Sequence, residues 1–172
     1  MLIREATADD AAAIAHVHLE SWKTTYPGII PQAYIDGLRV EDGIARWQER
    51  LDGDGPLTLV AEDAARLFGF ASGGAIIHPV DGFDCELGAI YLLASHQGRG
   101  AGRALVQGIG ERLHAQGFWS MVVWALRDNA ACTFYERLGG VRVAEKMIEI
   151  GGVALPEVAF GWRDIRTLAA RV

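Results

Sequence analysis

The stretch best suited to chemistry is Gln97-Gly98-Arg99-Gly100-Ala101-Gly102, followed by Arg103. Glycines let a backbone approach an anion closely, and the first N–H groups of a helix have no partner within it. A helix opening at this turn would aim those groups, and the positive end of its dipole, at a phosphate or pyrophosphate. Arg99 and Arg103 would add charge. Such a turn can also do no more than ease the start of a helix, so the glycines alone do not decide. The spacing does exclude two nucleotide sites. It lacks the P-loop lysine that a nucleoside triphosphate needs, and it follows the fourth expected strand instead of opening a βαβ unit, as a dinucleotide fingerprint does. Other reactive side chains are scattered. His16 and His18 stand two apart on an expected helix and face different ways, so they form no metal pair. Cys85 and Cys132 are the only cysteines. No CxxC or Cys/His ligand spacing involves them, and nothing pairs Cys132 with a histidine, so a covalent cysteine mechanism is not supported.

Two longer strings carry a resemblance. Glu86-Leu87-Gly88-Ala89-Ile90-Tyr91-Leu92-Leu93, running on into the glycine-rich turn, is similar to motif A of the GNAT superfamily of N-acetyltransferases, a strand followed by Q/R-x-x-G-x-G/A. Asn129-Ala130-Ala131-Cys132-Thr133-Phe134-Tyr135-Glu136-Arg137-Leu138-Gly139 resembles the family's motif B. Two motifs at the family's separation are more specific than either alone, and the expected element order agrees over nearly the whole chain. The resemblance implies transfer of an acetyl group from acetyl-CoA to a primary amine of a small molecule or peptide, by direct attack in a ternary complex and without a metal. The alternative it leaves is a non-catalytic acyl-CoA-binding regulatory module. A nucleotide-binding domain is disfavoured by the missing lysine.

Carried over by the resemblance, Gln97, Gly98, Arg99, Gly100, Ala101, Gly102 and Arg103 would hold the CoA pyrophosphate, mostly through backbone N–H groups. The strand edge at Leu92 and Leu93 would pair with the pantetheine arm. Tyr135 would be the general acid that protonates the departing thiolate, a task suited to a phenol that stays protonated at neutral pH. Asn129 would hold the pantetheine arm. The Asn-to-Tyr spacing is one residue shorter than the motif's common form, so Asp128 is an alternative there, and Asn129 can equally cap a helix. Glu86, at the entry of the motif A strand, would take the proton of the incoming ammonium, directly or through water. His78, in a nearby loop, is a weaker alternative base. Trp22, Tyr26 and Tyr34 would wall the acceptor pocket, with core packing the competing explanation for Trp22. Trp124 reads as core at a strand end that opens toward the thiol.

These residues need a frame. Leu2–Ala6 reads as a first strand, and Thr7 with Asp10 resembles a capping box for the helix that carries Ile14, Val17 and Trp22. Tyr26-Pro27-Gly28 ends that helix. A short helix opens at Pro31, and another spans Glu41–Leu51. Beyond the turn cluster at 52–56, strands are expected over Leu57–Glu62, Leu67–Ile77 and Glu86–Leu93, with a turn at 63–66 between the first two. A helix follows from Gly102 to Gln116, then a strand over Phe118–Leu126 buried on both faces. A helix over Asn129–Leu138 and a hairpin of Val141–Ile150 with Val153–Trp162 close the chain. The fold class is α/β. The resemblance implies a mixed, mostly antiparallel sheet of six to seven strands, with helices on both faces and a splay between the motif A strand and the strand ending at Leu126.

The bulk composition fits one globular domain over residues 1–172, 51% apolar and 22% charged. The net charge of −6 argues against nucleic acid and anionic membrane surfaces and is permissive for a cationic amine. Met1-Leu2-Ile3-Arg4-Glu5 lacks a signal-peptide pattern, and no run reaches the roughly 18 apolar residues of a membrane span, so the cytoplasm is the expected compartment. The resemblance allows a homodimer built on the closing hairpin or the helices.

Overall fold

The computed structural model describes residues 1–53, 55–64 and 66–168. Asp54 and Ala65, which the sequence places in turns, lie outside the described residues. Among the described residues, seven strands form one sheet in the order β1-β2-β3-β4-β5-β7-β6. They are β1 (Leu2–Glu5), β2 (Leu57–Asp63), β3 (Arg66–Ala75), β4 (Cys85–Leu92), β5 (Met121–Leu126), β6 (Val141–Ile150) and β7 (Val153–Trp162). Five α-helices among the described residues accompany them: α1 (Ala11–Thr25), α2 (Gln32–Asp36), α3 (Val40–Leu51), α4 (Ala101–Ala115) and α5 (Ala131–Arg137). Among the described residues, no helix is long and apolar enough to cross a membrane.

One face of the sheet is covered by α4, whose Leu105, Val106, Ile109 and Leu113 recur at helical spacing and meet Leu59, Ala71, Leu87, Met121 and Val123. The other face is covered by α1 and α3, which set Ile14, Ala15 and Trp47 on Val60 and Phe70. The start of the chain is pinned by charge. The Asp10 carboxylate accepts the Thr7 N–H at 2.8 Å and both terminal nitrogens of Arg4 at 2.8 and 2.9 Å, and Arg4 also reaches Glu62 at 2.9 Å. The expected capping box therefore forms. It closes a 3-10 turn over residues 8–10 that leads into α1.

The pairing of β4 with β5 shapes the site. It is the sheet's parallel contact, and it holds only Cys85↔Met121 and Glu86↔Val122 before the strands part. At that point β4 carries a bulge. Ser72 pairs with Ala89 and Gly73 with Leu87, which leaves Gly88 as the extra residue. A bulge bends its strand and increases its local twist. It also reverses side-chain parity, so that Ala89 and Tyr91 join Glu86 on the α1 face while Leu87, Ile90 and Leu92 pack toward α4.

The strand expected from Phe118 begins at Met121 instead. The Asp84 carboxylate explains the shorter strand, since it accepts the N–H groups of Trp119 and Ser120, both at 2.9 Å, and holds this segment out of the ladder. Trp119 is consequently 55% exposed, not buried.

His18 reports on packing. It lies on α1 with its ring centroid 4.6 Å from that of Tyr91 and 5.9 Å from those of Trp22 and Phe70. Burial first, then the positive charge of Arg46 and Arg50, lowers its pKa to about 4. The unfolded chain, with histidine near 6.5, then binds the proton more readily than the fold does. This contribution to stability is complete above about pH 6.5 and is lost as the pH falls toward 4, amounting to about 3 kcal/mol. Urea unfolding of wild type and His18→Phe at pH 7 and pH 4.5 checks this. The stability difference between them is expected to shift by about 2 kcal/mol in favour of the variant at the lower pH.

Candidate active site

Where β4 and β5 part, a cleft of about 710 Å³ opens through the sheet. One wall is β4 from Leu87 to Leu92, and the other is Val123, Trp124 and Ala125 of β5. Thr24 and Tyr26 at the end of α1 reach it from one face. The start of α4 and the Phe134 and Tyr135 side chains of α5 reach it from the other. A splayed sheet leaves the facing backbone groups of its two central strands without strand partners, which is what an extended ligand arm requires.

The glycine-rich turn closes one end of the cleft. Gly98 has φ +72° and Gly100 φ +86°, a left-handed backbone that favours glycine, and a Cβ on either would meet nothing within 4 Å. The first helical bond of α4 runs from the Ala104 N–H to the Gly100 carbonyl at 3.0 Å, so the N–H groups of Ala101 and Gly102 have no partner within the helix. With Arg103 and Arg137 also lining the cleft, the turn suits a pyrophosphate. Gln97 closes the corner by donating its side-chain amide to the Leu92 carbonyl at 3.1 Å, which also accepts the Ser21 hydroxyl at 3.2 Å.

Among the residues singled out for CoA, Leu92, Gln97, Gly98, Gly100, Gly102, Arg103, Asn129 and Tyr135 line the cleft. Leu93, Arg99 and Ala101 do not. Leu93 turns its N–H to the Phe68 carbonyl on β3 at 2.9 Å, Arg99 is exposed, and Ala101 is buried beneath the turn. Asn129 is buried, and its side-chain oxygen accepts the Ala131 N–H at 2.9 Å at the start of α5. It therefore caps a helix while facing the cleft, whereas Asp128 is exposed beside Arg127.

Tyr135 is 4% exposed, its ring 5.4 Å from Phe134, 5.8 Å from Phe160 and 6.4 Å from Trp162. Burial, with smaller contributions from Tyr91 and Cys132, pushes its phenol above the ordinary value, so it is protonated at neutral pH. Burial also raises both thiols, Cys85 to about 12, which removes thiolate character from either cysteine.

On the acceptor side, Tyr26 lines the cleft but Trp22, Tyr34 and Glu86 do not. Trp22 stands behind Tyr26, with ring centroids 4.8 Å apart, and donates its indole N–H to the Tyr91 hydroxyl at 3.1 Å. The Tyr91 and Tyr26 hydroxyls are 3.3 Å apart. Tyr34 is 40% exposed and rests near the hairpin turn at Gly151. Glu86 is 5% exposed and spends its carboxylate on the loop after β3. It accepts the Ile77 N–H at 3.1 Å and the His78 N–H at 3.0 Å, with the other oxygen 3.0 Å from His78 Nδ1. Tyr91, at the centre of the aromatic group, was missed in the sequence. Strict alternation from Glu86 sets it on the opposite face, and the bulge at Gly88 that brings it round leaves no signal in the sequence.

Trp124 is shared by two depressions. Beyond the cleft it borders an open groove with His78, Val80, Asp81, Lys146 and Arg163. Lys146 Nζ lies 4.1 Å from its ring centroid, and its indole nitrogen is buried without a hydrogen-bond partner among the described residues.

Comparison with known proteins agrees with this geometry. Residues 74–148 match the family model of FR47-like proteins, a span that holds both motif strings. The chain is 44% identical over 168 residues to an uncharacterized N-acetyltransferase of Bacillus subtilis (strain 168), YuaI, covering 96% of this chain and 95% of the relative. In fold it is similar to yncA of Salmonella typhimurium, solved with its cofactor acetyl-CoA, at 24% identity and a TM-score of 0.70, covering 94% of this chain and 92% of that one. It is likewise similar to the PaiA N-acetyltransferase of Thermoplasma acidophilum, solved in complex with coenzyme A, at 21% identity and a TM-score of 0.67, covering 91% and 96%.

Proposed function

The chain belongs to the GNAT superfamily of N-acetyltransferases, and from that premise we propose that it moves the acetyl group of acetyl-CoA to a primary amine of a small molecule or peptide by direct attack in a ternary complex. The observation that carries this reading is the cleft through the sheet, with an anion-binding helix start at one end and a protonated, buried phenol on its wall.

The thioester supplies an activated acyl group, and the rest of the task falls to the chain. The opening turn of α4, with Gln97, Gly98, Gly100, Gly102 and Arg103, holds the pyrophosphate, and the cleft-facing edge of β4 as far as Leu92 aligns the pantetheine arm. An N–H on that edge polarises the thioester carbonyl, an oxyanion role favoured by a site from which water is excluded. Tyr135 gives its proton to the departing sulfur. A phenol raised by burial is a weaker acid, but the same dry surroundings raise the basicity of the thiolate it serves. Tyr26 bounds the space where the amine arrives, with Trp22 stiffening it from behind.

Calorimetry with acetyl-CoA, followed by thiol release across a panel of amines (spermidine, phenethylamine, free amino acids and short peptides), tests the reading. Saturable binding and release that depends on one class of amine are expected. Binding without release across the panel would point to the regulatory module, and no binding would remove the reading.

A further inference from the structure

We infer that His78 is the base that takes the proton of the incoming ammonium, that Glu86 is the residue positioning it, and that the amine enters by the groove His78 lines. The inference rests on the acetyl-transfer reading above and replaces Glu86 with His78 as the group that meets the substrate.

Glu86 is the last residue of β4 to pair with β5, so it sits at the apex of the splay. Its carboxylate is buried and does not face the cleft. Fastening the loop after β3 would need only Oε2, which accepts both the Ile77 and His78 N–H groups. Oε1 lies nearer the His78 ring, at 3.0 Å from Nδ1, with Oε2 at 3.3 Å from the same nitrogen. An ionised carboxylate can only accept, so Nδ1 carries the hydrogen and Nε2 of the neutral ring keeps a free lone pair. The His78 side chain is 54% exposed, in contrast to the 6% of its partner, so the pair has one buried anchor and one accessible end.

That end faces a groove of about 850 Å³ lined also by Trp124, Lys146 and Arg163. Trp124 belongs to the wall of the cleft as well, so groove and cleft adjoin at this residue. An amine entering beside His78 is brought to the side of the splay opposite α4 and α5, away from the channel assigned to CoA. The charged groups facing this position are Glu86 through the ring bond, Asp81 on the same loop, Glu145 and Lys146 on β6, and Arg163 after β7. Lys146 is partly neutralised by Glu157 at 3.6 Å.

The step balances as follows. His78 Nε2 takes one proton from the ammonium, which leaves a neutral amine. Its nitrogen forms a bond to the thioester carbon, and the carbon–sulfur bond breaks. The sulfur receives the Tyr135 proton, and the nitrogen sheds a second proton that restores the phenol through water. The His78 proton passes to solvent as the one net proton released.

Two measurements on the full chain test this. In nitrogen-15 spectra of the imidazole at neutral to alkaline pH, wild-type His78 is expected as the Nδ1–H form, and Glu86→Gln is expected to release it toward the Nε2–H form that free histidine favours. An Nε2–H wild type would overturn the inference whatever the activity. With the amine selected by the panel, His78→Gln is expected to lower kcat/KM by about 10²–10³-fold and abolish the acidic limb of its pH profile, with acetyl-CoA binding unchanged. A variant that keeps both rate and limb overturns the role of His78 while leaving acetyl transfer standing. Failure of wild type to bind acetyl-CoA would instead strike the reading beneath it.

Discussion

Replacing Tyr135 with phenylalanine is expected to lower kcat by about 10²–10³-fold while acetyl-CoA binding stays near the wild-type value. The substitution removes a single oxygen from a ring that is 4% exposed and leaves its contacts with Phe134, Phe160 and Trp162 in place. Packing is conserved, so the melting temperature should barely move, and the lost rate belongs to the proton. The loss should also track the leaving group. A thioester whose thiol is more acidic departs without help, so an acyl donor with an aryl thiol should recover much of the deficit. Stopped assays with both donors check this. A variant at the wild-type rate with acetyl-CoA would assign the sulfur's proton to water.

Gly100→Trp is expected to weaken acetyl-CoA binding by at least about 100-fold, or roughly 2.7 kcal/mol. Two effects combine. Gly100 sits at φ +86°, where a side chain costs on the order of 1–2 kcal/mol, and the indole projects into open space beside the first N–H groups of α4. Backbone strain alone cannot explain such a loss if the control behaves. Gly117, just beyond the other end of the same helix, has φ +98° and equally open surroundings. Gly117→Trp carries comparable strain and should bind acetyl-CoA as wild type does. Calorimetry on the two variants separates a blocked cradle from a weakened fold. Equal losses in both would move the pyrophosphate away from this turn.

The sequence made the elements legible wherever pattern and punctuation agreed. The hairpin across Gly151-Gly152 emerges with both strands as expected, because an apolar alternation on each side of a glycine pair leaves little freedom of register. The segment from Phe118 to Ser120 was not legible, because its fate is set by Asp84, thirty-odd positions earlier, whose carboxylate takes the N–H groups a strand would have used. Long-range capping of this kind leaves no local signature.

The candidate site shows the same division. The turn at residues 97–102 was legible as a glycine-eased helix start, and Gly98 and Gly100 take the positive φ that glycine permits. Glu86 was legible as an unusual residue but not in its orientation. Its commitment to the loop at Ile77 and His78 depends on a chain reversal that strand periodicity does not encode. Strict alternation onward from Glu86 would also set Leu92 on the α1 face and Tyr91 opposite. The extra residue at Gly88 inverts that parity, and with it which aromatic joins Trp22 and Tyr26. Trp124 reads as core from its neighbours in the chain and proves to line two depressions, which strand periodicity does not encode.

The two rungs that join β4 to β5 make this an unfinished sheet. On one side of the gap stands a slab of four strands, on the other a slab of three, and over most of their length no ladder joins them. A pantetheine arm lying along β4 would act as the missing strand, so the donor would complete the architecture as well as react within it. Folding stability and donor supply are then one linked equilibrium. The chain would be more robust with a CoA species lying in the cleft than without one.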